Sequence, residues 1–146
     1  MVKWDNFNRL YTKGVQVEKD AKTVIETFFK EDLKHMLINP YSYYDFINST
    51  DTVKYEVKSY NCCYKTFNKI ILPFEKIQRI KPADNFIFIL VFTNYQDDPL
   101  NYSYYYIKYN KNLFSSFDII ETYIKARDHK HLNVQVIKDY IFCIKK

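Results

Sequence analysis

Tyr43-Tyr44-Asp45-Phe46-Ile47, then Asn48 to Thr52, then Val53-Lys54-Tyr55-Glu56-Val57-Lys58-Ser59: the fold and chemistry of this 146-residue chain turn on these residues. Both flanks are rich in aromatic and β-branched side chains and the middle is polar, which predicts two strands joined by a turn. Side chains alternate across a sheet with period two, so Glu56 and Lys58 share a face and Asp45 can lie opposite them. Two carboxylates and an amine then converge on one point. A carboxylate pair is a hard oxygen site suited to Mg²⁺ or Mn²⁺, and a neighbouring lysine can orient or deprotonate an attacking water. That is equipment for cutting a phosphodiester. Glu-x-Lys alone is a weak signal, expected about once by chance at this Glu and Lys content. Its weight comes from its place in a strand, a hairpin's length after an Asp. The competing reading is a solvated Glu/Lys face on an ordinary strand.

Upstream, Gly14 to Leu37 carries Val17, Ala21, Val24, Ile25, Phe28, Phe29, Leu33, Met36 and Leu37, the spacing of an amphipathic helix, which Asn39-Pro40 ends. Downstream, Pro73 is a first-turn residue for a short helix from Phe74 to Ile80, closed by Lys81-Pro82. Phe86 to Phe92 is a continuous apolar run between Asp84-Asn85 and Asn94, the pattern of a strand buried on both faces, and is the expected sheet centre. A turn at Gln96 to Pro99 leads to a strand over Tyr102 to Tyr109. Ser115 or Ser116 can cap a helix through Phe117, Ile120 and Ile124 to Arg127, and a hairpin of Asn133 to Ile137 with Tyr140 to Ile144 follows. The expectation is one α/β domain over 1–146, a mixed sheet flanked by helices, with a core at 14–93 and a C-terminal elaboration at 94–146.

Composition narrows the class. With 1 Gly and 4 Pro there is no linker-like or low-complexity stretch, and 47% hydrophobic residues are enough for a real core. The net charge of +5 and pI near 8.9 favour contact with a polyanion. Aromatics at 19%, with 15 Tyr, could stack on bases, although abundant Tyr, Asn, Lys and Ile also reflect an AT-rich coding style, as in a large DNA virus or a mobile element. Cys62, Cys63 and Cys143 form no even disulfide set and no C-x-x-C pair. His35, His129 and His131 lack zinc-ligand spacing, and the last two are expected in a loop after a helix. The N-terminus has no apolar targeting region, and no apolar run approaches the roughly 20 residues that span a bilayer. The expectation is a soluble intracellular protein of cytoplasm or nucleus, or of a viral factory, without membrane contact.

An acidic position in a first helix, Asp and Glu-x-Lys on a hairpin, and a helix leading into a buried strand together resemble the PD-(D/E)xK nuclease superfamily. The nearest likeness is to Holliday junction resolvases and related restriction-endonuclease-like folds, over residues 14 to 93. Gly14-Val15-Gln16-Val17-Glu18 looks like that family's Gly-x-x-x-Glu helix opening, with Glu26 and Glu31 as alternative helix carboxylates. The resemblance implies a divalent-metal-dependent DNA endonuclease, a homodimer acting on branched DNA in recombination. Glu18, Asp45 and Glu56 with the Val57 carbonyl would hold Mg²⁺ or Mn²⁺, and Lys58 would position the attacking water; Tyr44 stands where the motif carries proline. Lys65, Lys69, Lys76, Gln78, Arg79 and Lys81 are the expected grip on nucleic acid, with Lys76 or Gln78 the candidate nearest the scissile phosphate. Two alternatives stand beside this reading. One is a cap-snatching type of RNA endonuclease, which adds a first-helix histidine ligand, here His35. The other is a non-catalytic nucleic-acid-binding or protein-interaction domain.

Overall fold

The computed structural model describes residues 2–36, 43–124 and 129–146, with side chains described over 14–36, 43–122 and 131–146. Its order is α1 (Val2–Phe29), β1 (Leu33–His35), β2 (Phe46–Asn48), β3 (Val53–Tyr60), β4 (Ile70–Pro73), α2 (Phe74–Gln78), β5 (Asn85–Phe92), β6 (Ser103–Lys108), α3 (Lys111–Ser115), β7 (Asp118–Ile124), β8 (His129–Val136) and β9 (Phe142–Lys145). Six strands form a mixed sheet in the order β1-β2-β3-β5-β6-β9, and β4-β8-β7 form a second sheet. The fold is α+β.

The centre of the larger sheet is where the apolar run predicts it. β5 lies parallel to β3 and antiparallel to β6, and every residue from Phe86 to Phe92 is buried. Its alternate side chains feed two cores. Phe86, Phe88, Leu90 and Phe92 pack with Ile70 and Leu72 of β4, Ile77 of α2, Phe114 of α3 and Val134 of β8. Ile87, Ile89 and Val91 pack with Tyr55 and Val57 of β3 and with Val17, Ala21 and Ile25 of α1. One face therefore carries the second sheet and the short helices, and the other carries the long helix.

The predicted hairpin forms, with Phe46 opposite Tyr55 and Ile47 opposite Lys54, but its first strand is only Phe46–Asn48, so Tyr43, Tyr44 and Asp45, expected within it, precede it. Its turn is set by Asn48, which is 1% exposed: Oδ1 accepts from the Thr52 and Val53 N–H groups at 2.8 and 2.9 Å, and Nδ2 donates to Thr52 Oγ1 at 2.9 Å. Asp51 takes the left-handed conformation there, which a short polar side chain tolerates. The helix expected after Pro73 also forms, although shorter, at Phe74–Gln78.

Four expectations are corrected. The first helix starts at Val2 and not Gly14, and stops at Phe29 and not Leu37. Lys30 turns left-handed (φ 55°), the Glu31 N–H donates to the Glu26 carbonyl at 3.2 Å, and the Glu26 carboxylate accepts the Leu33 N–H at 3.0 Å. This αL cap turns Leu33 into a buried residue of β1. Leu37 and the expected Asn39-Pro40 stop lie outside the described residues. The Ser115-to-Arg127 helix is instead the end of α3 followed by β7. Ile120 and Ile124 are four apart, which fits a helical turn and strand alternation equally, and Ser116 closes α3 by donating to the Leu113 carbonyl. The last two strands form no hairpin: β8 pairs with β4 and β7, and β9 with β6. A 3₁₀ turn at Lys138–Tyr140 redirects the chain, held by Lys138 Nζ donating to the Tyr64 carbonyl at 2.6 Å. His129 and His131 consequently belong to β8, not to a loop. No helix among the described residues is long and apolar enough to cross a membrane.

Candidate active site

β2 is short. Where it runs out, β3 continues, and the gap in the sheet is where the predicted residues meet. The Asp45 N–H donates to the Tyr55 carbonyl at 2.8 Å, while Asp45 Oδ2 accepts the Val57 N–H at 2.7 Å. The carboxylate thus takes the place of a strand partner for β3. A strand residue sends its N–H and C=O to the same side, so the Val57 carbonyl faces this notch as well. Glu56 lies between these two backbone positions on the face that carries α2, and it is 5% exposed. Lys58, two residues on, shares that face and is mostly buried.

Glu18 reaches the notch from α1. Its neighbours Val17 and Ala21 are buried against the sheet, which sets the helix rotation that turns Glu18 toward Asp45. Gly14 does not open the helix: it sits within α1, and a Cβ there would meet nothing within 4 Å. Contact, and not a glycine-marked helix start, distinguishes Glu18 from its rivals, since Glu26 is engaged by the Leu33 N–H and Glu31 Oε2 accepts from Asn48 Nδ2 at 3.4 Å. His35 comes from β1, not from the first helix. Its Nε2 lies 3.1 Å from Glu18 Oε2 and its ring stacks on Phe46 at 4.5 Å.

α2 supplies one of the residues expected to grip nucleic acid near the scissile phosphate. Ile77 anchors the helix in the core, and Lys76 extends over β3 to pair with Glu56 Oε1. Gln78 faces the other way, lining a cavity of about 710 Å³ with Phe74, Phe114 and Phe117. Arg79 pairs with Glu75 at 2.9 Å, and Lys65, Lys69 and Lys81 are exposed away from these contacts. Of the six expected backbone contacts, Lys76 alone has been placed against the carboxylates.

The electrostatics follow from burying like charges together. Burial raises the Glu18 pKa to about 8, with further push from the Asp45 and Glu56 charges and a hydrogen bond to Asp45. Burial and the Asp45 charge raise Glu56 to about 7, against the pull of Lys76 and Lys58. Asp45 is raised by burial, held in check by the Val57 N–H and by Lys76. Lys58 is lowered by burial and then by the Lys76 charge, with Glu56 and Asp45 opposing. His35 is lowered, chiefly by burial, with Lys19 and Lys22 adding to the effect and Asp45 opposing it. Side-chain hydrogen bonds linking Glu18 to Asp45 and Asp45 to Glu56 make the three carboxyls a proton-sharing chain.

Among the described residues no three His, Cys, Asp or Glu close into a preformed metal cage. The donor set nevertheless suits a hard divalent cation. Three carboxyls, forced together with raised pKa values, have charge that only a cation can neutralise without their protonation.

No family model, curated protein or solved structure matches this chain. The functional reading therefore rests on the notch itself.

Proposed function

We propose that the chain is a divalent-metal-dependent endonuclease with a PD-(D/E)xK-type site on a restriction-endonuclease-like core. The observation that carries this is the meeting, at one gap in the sheet, of Glu18, Asp45 and Glu56 with Lys58 and Lys76. Residues from α1, the turn just before β2, β3 and α2 contribute, and of the five only Asp45, which accepts the Val57 N–H, also completes the sheet. Buried clusters of titratable groups with displaced pKa values are the usual mark of a site built for chemistry.

Asp45, Glu56, Glu18 and the Val57 carbonyl would hold Mg²⁺ or Mn²⁺. The bound ion would supply charge neutralisation at the phosphoryl oxygen and the departing 3′ oxygen. Lys58 orients the attacking water, and its lowered pKa brings the amine nearer to accepting that water's proton. Asp45 fixes the position of Val57 and, through it, the spacing of Glu56 and Lys58. Lys65, Lys69, Lys81 and Arg79 offer exposed cations for the backbone on the side of the chain that follows β3. Branched DNA bound by a homodimer is the substrate and assembly this reading favours.

The contact of His35 with Glu18, close to Asp45, favours a second reading within the same fold, an RNA endonuclease with a histidine in its site. Supercoiled plasmid, a labelled four-way junction and single-stranded RNA, each with Mg²⁺, Mn²⁺ or EDTA, separate these readings when Asp45→Ala and Lys58→Ala accompany the wild type. Metal-dependent cutting lost in both variants is expected, and the preferred substrate assigns the class. Binding without cutting in all three proteins would replace the enzyme with a nucleic-acid-binding domain.

A further inference from the structure

Glu56 is the most buried carboxylate of the site and already has a cation. Its partner comes from α2, not from β3: Lys76 Nζ meets Oε1, and the Lys76 side chain is 40% exposed where that of Glu56 is 6%. The two ends of this pair differ in freedom. Glu56 is fixed in a strand paired along its length to β5, whereas Lys76 swings from a one-turn helix on four rotatable bonds with a clear route to water. We infer that the Lys76 ammonium is a resident counter-ion, holding the position beside Glu56 that a divalent cation takes and leaving it when that cation binds. This rests on the metal-dependent reading of the site and adds to it an exchange of one cation for another.

The exchange is consistent with the geometry of the carboxyls. Among the described residues the three carboxyls form no closed cation site, and the ammonium of Lys76 stands on Glu56 Oε1. A divalent ion would have to outcompete a single positive charge at its deepest ligand, so Lys76 lowers the affinity of the site. Once displaced, the ammonium lies at the mouth of the notch, free to meet a phosphate. Metal and polyanion then favour each other's binding, by equal factors in the two directions. Lys58 is not equivalent: its backbone is fixed in β3 and its side chain is mostly buried, so it cannot leave as Lys76 can.

The test is Mn²⁺ titration by calorimetry of the full chain, comparing the wild type with Lys76→Met, Lys76→Gln and Lys58→Met. Gln keeps a hydrogen-bond donor for Glu56 and guards against a folding defect in the Met variant. Removing Lys76 should tighten Mn²⁺ binding by about tenfold or more, and removing Lys58 by less than about threefold. The thermal midpoint should rise more on adding Mn²⁺ in the Lys76 variants than in the wild type. Equal affinity in wild type and Lys76 variants would overturn the exchange and leave the nuclease reading standing. Equal tightening by Lys58→Met would reduce it to bulk charge. No Mn²⁺ binding by any of the four proteins would remove both the exchange and the metal-dependent reading.

Discussion

Glu18→Gln should make the metal-free protein more stable above neutral pH. Burial and its neighbours hold Glu18 near pKa 8 against an ordinary 4.5. Between those values the folded chain retains a proton that the unfolded chain has lost, so stability falls as pH rises through the window. Below about 4.5 the group contributes no difference, and above about 8 the full loss is reached. A shift of 3.5 units at about 1.4 kcal/mol each gives an upper value of about 5 kcal/mol. The side chain keeps 23% exposure, and water screening reduces that to about 2 kcal/mol. Gln has the shape of the protonated acid and can donate to Asp45 as it does, so the variant should match the wild type at pH 5. At pH 8.5 it should melt higher by about 7 °C, taking roughly 3 to 4 °C per kcal/mol for a chain of this size. The assay is thermal unfolding by circular dichroism in EDTA at pH 5, 7 and 8.5. A gap between the two proteins that stays the same across the three pH values, or a variant that is less stable at pH 8.5, would refute the buried proton-sharing chain.

Other outcomes follow from the same geometry. Lys58→Ala should lower metal-dependent cleavage by about a hundredfold or more while DNA retention in a filter-binding assay stays within a few-fold. Asn48→Ala strips the acceptor for the Thr52 and Val53 N–H groups and should cost about 2 kcal/mol in urea titration, an unchanged midpoint counting against the turn as described. Phe88→Ala, at a fully buried position in the central strand, should cost about 3 to 5 kcal/mol. Tyr43→Phe removes the hydroxyl that accepts from Lys54 at 2.8 Å and donates to Asp84 at 2.9 Å; it should cost about 1 kcal/mol and slow cleavage by loosening the chain just before Asp45, unaltered kinetics excluding that link.

The sheet was legible wherever one periodicity left no rival. Phe86 to Phe92 is too short for a buried helix and too apolar for anything but a central strand, and the 46–60 hairpin carried its own turn in Asn48 and Asp51. The errors came where spacing served two structures. Leu33 continues the helical step from Phe29, but three events end the helix before it: a left-handed Lys30, the Glu26 cap and pairing with Asn48 fifteen residues on. Ile120 and Ile124 misled in the same way. The meeting of Glu56 and Lys58 with Asp45 followed from strand alternation, whereas Lys76 was one cation among several and, through the family resemblance, one of two candidates near the scissile phosphate, with nothing tying it to Glu56. What singled it out was the anchoring of Ile77 in the core, which no local pattern expresses.

The Asp45–Val57 hydrogen bond makes one backbone amide a reporter for the whole site. In a longer β2 that amide would be sealed by a neighbouring backbone and would exchange with solvent only on opening of the sheet. Here its partner is a side chain assigned to the ion in the proposed function, so hydrogen exchange at Val57 should respond to added Mn²⁺ while exchange at Ile89, across the β3–β5 pairing, stays slow. Extending β2 by a residue pair would close the gap with ordinary backbone bonds and leave a sheet that is more regular and has no notch.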